Sequence, residues 1–150
     1  MIRTKILISF ILFSIISGCG FHTPHKNESI NATIKGHTES MIAKKIVKRL
    51  NKNIPPSLII EIAGETMRQD VISYDNSGKE SGYRLNYLAP VKVYNKDSVL
   101  IFEDVLSAKS IINKIGSYQA DKLQINETYE ILSDNLVRKF IRQLNRLNES

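Results

Sequence analysis

Tryptophan is absent from the 150 residues, cysteine occurs once, and aromatic residues make up only 7% of the chain. With so few rings, aliphatic side chains must fill most of the core. A single cysteine excludes an internal disulfide, so in an exported chain it is a dimer bridge, a reactive thiol or a modified group. Catalytic signatures are missing as well. There is no Gly-x-Ser-x-Gly, His-Glu-x-x-His, Cys-x-x-Cys or phosphate-cradling glycine loop. His22 and His25 stand three apart with His37 nearby, but without partnering carboxylates they read as solvated histidines, and no metal site is expected. Glu103 and Asp104 are neighbours on a candidate strand, where adjacent side chains point to opposite faces and cannot work as an acid–base pair. A non-enzymatic role is the expectation.

The one long apolar run lies at the start. Arg3 and Lys5 form a positive leader, and residues 6–16 are apolar apart from Ser9 and Ser14. That is the length of a signal-peptide core and short of the roughly 20 residues a spanning helix needs. Ser17 and Gly18 follow, and then Cys19. Ile16, Ser17, Gly18 and Cys19 resemble the bacterial lipobox, in which the chain is cut before the cysteine. Residues 1–18 are therefore expected to be a lipoprotein signal peptide. Cys19 is expected to carry a thioether-linked diacylglycerol and an amide-linked acyl chain, with no other cofactor. Such multiple acyl chains give the stable anchoring that a single chain cannot. Gly20, where aspartate would mark retention, favours the outer membrane by resemblance to sorted lipoproteins. Residues 19–29, polar and containing Pro24, read as a tether.

Residues 30–150 then form one domain with one core. Residues 30–34 suit a short strand. Thr38 is a plausible N-cap for a helix over 38–52, with Glu39 in its first turn and Pro55–Pro56 beyond its end. Its apolar positions 42, 43, 46, 47 and 50 form a stripe. Residues 57–63 alternate, and the pattern continues loosely to Tyr74 before the turn signal at residues 75–78. Tyr83, Leu85, Tyr87, Ala89, Val91 and Val93 then face one way and Arg84, Asn86 and Lys92 the other. Pro90 inside this strand implies an edge or a bulge. After a turn at residues 95–97, residues 99–108 make a third strand. Tyr129, Leu132, Leu136, Phe140, Leu144 and Leu147 step by three or four along a final helix. The expectation is an α+β fold: an antiparallel or mixed sheet of about four strands, with two helices on one face.

The formal charge is +6, near +4 once Arg3 and Lys5 leave with the signal. A basic surface suits anionic partners. An exported protein rarely meets nucleic acid, so none is expected, and a lipid headgroup or an acidic protein is the natural polyanion. Two surfaces are candidates. One is the outer face of helix 38–52, with Lys44, Lys45, Lys48, Arg49 and Lys52. The other is the hairpin surface with Arg68, Lys79, Arg84 and Lys92.

Cys19, Gly20, Phe21 and His22 are similar to the opening of the mature LptE family. Tyr83 to Tyr87 with Val91, Lys92 and Val93 resemble that family's central strand. Phe102 with Leu106, and residues 116–122, fit its final strand and the link to the last helix. The run from Leu132 through Leu136, Val137, Phe140 and Ile141 to Leu144 resembles its terminus. The resemblance implies a lipoprotein anchored at the periplasmic face of the outer membrane. There it would plug and help assemble the LptD β-barrel, and it would pass lipopolysaccharide toward the outer leaflet by binding. Arg84, Lys122 and Lys92 would then meet lipopolysaccharide phosphates. The alternative is an auxiliary periplasmic lipoprotein of a lipid-transport ABC system.

Overall fold

A computed structural model describes residues 30–148. The signal peptide (1–18), Cys19, the tether (19–29), His22 and His25 lie outside the described residues. The elements run β1 Ala32–Gly36, α1 Met41–Val47, β2 Leu58–Ile62, β3 Thr66–Tyr74, β4 Glu80–Asn95, β5 Leu100–Asn113 and α2 Tyr118–Asn148. The fold is α+β, with both helices on one face of a mixed, mostly antiparallel sheet. There are five strands, because the first long strand is two: β2 and β3 are separated by residues 63–65.

β4 organises the sheet. β5 pairs with it along one edge over Gly82 to Tyr94, so β2 and β3 share the other edge, β2 against Val91–Asn95 and β3 against Glu80–Leu88. β1 lies parallel to β2, as a strand–helix–strand crossover through α1 allows. Pro90 sits neither on an edge strand nor at a bulge, since the β4–β5 register runs through it unbroken. Its carbonyl accepts from Ala63 N–H at 3.1 Å. The N and C=O of one residue point the same way in an antiparallel strand, so the missing donor of Pro90 faces the β2–β3 break. The interruption falls on its partner edge.

The alternation expected along β4 is present. Leu85, Tyr87, Ala89, Val91 and Val93 are buried beneath the helices, while Arg84, Leu88 and Pro90 are exposed on the other face. α2 covers this layer with Tyr129, Leu136, Val137, Phe140 and Leu144. Tyr129 meets Tyr87 at 6.4 Å and Phe140 meets Phe102 at 6.1 Å between ring centres. The helix therefore runs antiparallel to β5.

Both helices differ from the periodicity reading at their starts. α1 is N-capped by Ser40, not Thr38: Ser40 Oγ accepts from Ala43 N–H at 3.2 Å. Glu39 stands outside the helix and pairs with Lys44 at 3.0 Å. A carboxylate from elsewhere, Glu65, accepts Met41 N–H at 3.1 Å and Ile42 N–H at 3.4 Å, filling the role a first-turn acid would have had. The helix ends well before the proline pair, where Asn51 N–H turns to Ile30 C=O at 2.9 Å. α2 begins at Tyr118, so residues 118–122 are helix, not the strand end and link expected. Its first turns reach past the core, with little apolar stripe to reveal them. They are set by Gly116, in the left-handed region at φ 94°, and by buried Asp121, which accepts Ile115 N–H at 2.6 Å.

Candidate ligand-binding cleft

The ends of β3, β4 and β5 meet the start of α2 around an open cleft of about 720 Å³. Three lysines line it, one from each connection: Lys79 from the β3–β4 turn, Lys114 from the end of β5, and Lys122 from the first turns of α2. The turn is built by Asp75. Its Oδ1 accepts Ser77 N–H at 2.8 Å, Ser77 Oγ–H at 2.7 Å and Lys79 N–H at 2.9 Å, and Gly78 takes the left-handed φ of 77°. The Ser77 hydroxyl, followed by the Lys79 amide, holds the Asp75 carboxyl below its ordinary value.

Lys114 is placed by its own backbone, whose N–H bonds Ser81 C=O at 2.9 Å. Its ammonium lies 5.7 Å from the Tyr83 ring centre. Tyr83 donates its hydroxyl to Glu80 at 2.7 Å, and that bond raises the phenol above its usual range. The Tyr83 hydroxyl in turn raises Lys114, so the ammonium stays charged at any physiological pH. The acids of the cleft are largely engaged. Asp75 holds the turn, Glu80 takes the tyrosine proton, and Asp121 caps the segment before α2. Those carboxylates keep their charge, so the cleft is of mixed sign, and its three ammonium groups, none of them in an ion pair among the described residues, are the groups suited to an anion.

Of the residues expected to bind, Lys122 lies in this cleft and Lys79 joins it from the hairpin. Arg84 does not, because it points to the bare sheet face opposite Asp70. Asp70 is already held by Arg68 at 2.8 Å and Asn86 at 3.0 Å, which leaves Arg84 without an ion pair among the described residues. Lys92 is on that face too, paired with Glu103 at 3.1 Å, whose hydrogen bond raises the lysine. Eight residues of one strand separate Arg84 from Lys92, roughly 26 Å, so the three cations do not form one site. Lys114 was not legible as a ligand, since its proximity to Lys122 exists only after residues 114–117 turn the chain.

The basic face of α1 divides as well. Lys45, with its side chain only 14% exposed, bridges to α2 through Glu130 at 2.6 Å and Asp134 at 3.0 Å. It is a helix-to-helix clamp. No cluster of three metal-ligating side chains occurs among the described residues, and no described helix is long and apolar enough to cross a membrane.

The fold and the cleft define a class: a two-layer α+β domain with one bare sheet face and a lysine-lined cleft at the sheet's end. The chain belongs to the LptE family, whose model, described as lipopolysaccharide-assembly, matches residues 25–146. It is thereby a bacterial lipoprotein of lipopolysaccharide assembly. No curated protein matches its sequence. Among solved structures it is similar to rare lipoprotein B from Shewanella oneidensis, with a TM-score of 0.68 at 9% identity over 78% of this chain and 95% of that one. It is similar also to lipoprotein B from Nitrosomonas europaea, with a TM-score of 0.64 at 14% identity over 81% and 85%. A minor lipoprotein from Acinetobacter baumannii follows at 0.53 and 14% identity over 77% and 90%. At these identities the structures speak for the fold.

Proposed function

We propose that this protein is the lipid-anchored subunit of an outer-membrane lipopolysaccharide translocon. In that role it seats in an LptD-type β-barrel, assists its assembly and passes lipopolysaccharide onward by binding, without turnover. The observation that carries this reading is the family match over residues 25–146, nearly the whole domain. Cys19, modified with acyl chains, would hold the domain at the periplasmic face of the outer membrane.

The geometry adds direction. Ile30, where the tether enters the domain, bonds Asn51, and β1 and β2 place it at the Asn95 end of β4. The lysine cleft is at the Glu80 end, roughly 50 Å away along the strand. Lys79, Lys114 and Lys122 therefore reach away from the anchor, toward a ligand arriving from the periplasm. Lipid A phosphates suit them. Arg84 and Lys92, on the bare face, are further contacts in this reading.

Affinity purification of the tagged lipoprotein in mild detergent tests it. An outer-membrane β-barrel should be recovered in equal amount. Recovery of an inner-membrane permease instead would show an accessory of a lipid-transport ABC system and end the translocon reading.

A further inference from the structure

The second large cleft, about 1140 Å³ and open, wraps the edge strand β5: Leu132, Asn135, Arg138, Lys139 and Arg142 line it from α2, and Ser107 and Lys109, opposite Leu88 and Asn86, line it from the bare-face side. Arg49, just past the end of α1, also lines it. Five cations thus line this cleft, and no carboxylate does among the described residues. Their neighbours explain why they stay available. Glu130 and Asp134, the nearest acids on α2, are turned to the α1 side and held by Lys45. Arg138 is steadied by a neutral acceptor, the side chain of Asn135, and Arg142 by the Arg138 carbonyl at 3.3 Å. Neither partner neutralises a guanidinium. No ion pair engages Arg49, Lys109 or Lys139 among the described residues.

Like charges in one cleft repel, and surfaces normally intersperse both signs. Five cations spread over so wide an opening cannot converge on one phosphate. They match a headgroup carrying several, and three of the five are arginines, whose planar fork takes phosphate oxygens in pairs. The position is equally specific. Asn51, two residues from Arg49, bonds the first described residue after the tether. Helix α2 also runs from the Tyr87 level of the sheet to the Phe102 level. The flank therefore extends toward the anchored end, whereas the lysine cleft lies at the other.

We infer that Arg49, Lys109, Arg138, Lys139 and Arg142 form a second anion site, which takes the several phosphates of a phosphorylated glycolipid headgroup nearer the membrane anchor than the lysine cleft. The inference rests on the lipopolysaccharide-binding reading and adds to it a second station, so that one ligand could be passed between sites along the long axis.

The test uses the purified full lipoprotein and four probes: lipopolysaccharide, lipopolysaccharide stripped of its lipid A phosphates, phosphatidylglycerol vesicles and inorganic pyrophosphate. The flank variant is Arg138→Glu with Arg142→Glu, both exposed and outside the core. The comparison variant is Lys79→Glu with Lys122→Glu. Each flank contact is a charge-assisted hydrogen bond, so the flank variant should bind lipopolysaccharide at least about tenfold more weakly. It should lose nothing toward the stripped form, and pyrophosphate should bind wild type and flank variant equally poorly. An unchanged melting temperature separates this from misfolding, and the milder pair Arg138→Gln with Arg142→Gln should fall between. Wild-type affinity retained in the flank variant, with loss confined to the lysine-cleft variant, overturns the second site and leaves the first reading standing. Equal loss toward phosphatidylglycerol overturns it in favour of a membrane contact. Wild type that fails to bind lipopolysaccharide at all removes both readings.

Discussion

Glu65 shows how much one side chain can decide. It lies in the three-residue gap between β2 and β3, yet its carboxylate accepts the hydroxyl of buried Tyr87 and two N–H groups at the start of α1. Burial, then this hydrogen bond, drives the Tyr87 phenol far above its ordinary value, so it remains a donor throughout the physiological range. Replacing Glu65 with Ala strands a buried hydroxyl and uncaps a helix. The expected cost is about 2–3 kcal/mol, from a lost buried partner and a lost cap together, read as a lower urea midpoint. Glu65→Gln, which still accepts, should recover more than half of it. Equal midpoints for wild type and Glu65→Ala would show that the Tyr87 hydroxyl and the α1 amides find other partners. Nothing in the local sequence marked Glu65, because its partners are 22 to 24 positions away.

At the scale of elements, the β1–α1–β2 crossover depends on one tight corner. Gly36 ends β1 with φ 82°, and a Cβ there would stand 2.3 Å from the Ile62 carbonyl oxygen. That carbonyl is needed where it is, since it accepts His37 N–H at 2.9 Å. Both the backbone conformation and the space demand glycine. Gly36→Ala should therefore cost at least about 1–3 kcal/mol, visible as a lower melting temperature. An unchanged melt would mean that β1 detaches at little cost. The strands with alternating burial were legible as sequence, β4 above all, because one buried face imposes a period of two. Their partners were not. Pro90, which by local pattern implies an edge or a bulge in its own strand, instead lies opposite the break between two neighbours across the sheet.

On the scale of the whole molecule, charge is distributed by position along the long axis. Some cations are structural, as in the Lys45 clamp, and some are balanced on the bare sheet face, as in Lys92 with Glu103. The lysines at the Glu80 end share their cleft with carboxylates but make no ion pair among the described residues. Reversing Lys114 and Lys122 to Glu should leave the melting temperature within about 1 °C of wild type, as expected of exposed side chains away from the core. It should weaken lipopolysaccharide capture severalfold at low salt, and the difference should shrink as salt screens the cleft. Capture that is unchanged in low salt would remove this end from the binding surface.

Local sequence by itself determined what depends on near neighbours and chemistry: the leader and its cysteine as an expected lipid anchor, the alternating face of β4, the apolar stripe of α2, and the α+β class. These follow from periodicity and residue type, which act over a few positions. Tertiary structure alone decided that β2 and β3 share one edge, that Glu65 caps a helix remote from it in the chain, and that Lys79, Lys114 and Lys122 meet while Arg84 and Lys92 face elsewhere. The physical reason is that a site needs side chains brought together from separate elements. The turns that bring them, at residues 75–79 and 114–117, carry too little pattern to reveal where they lead.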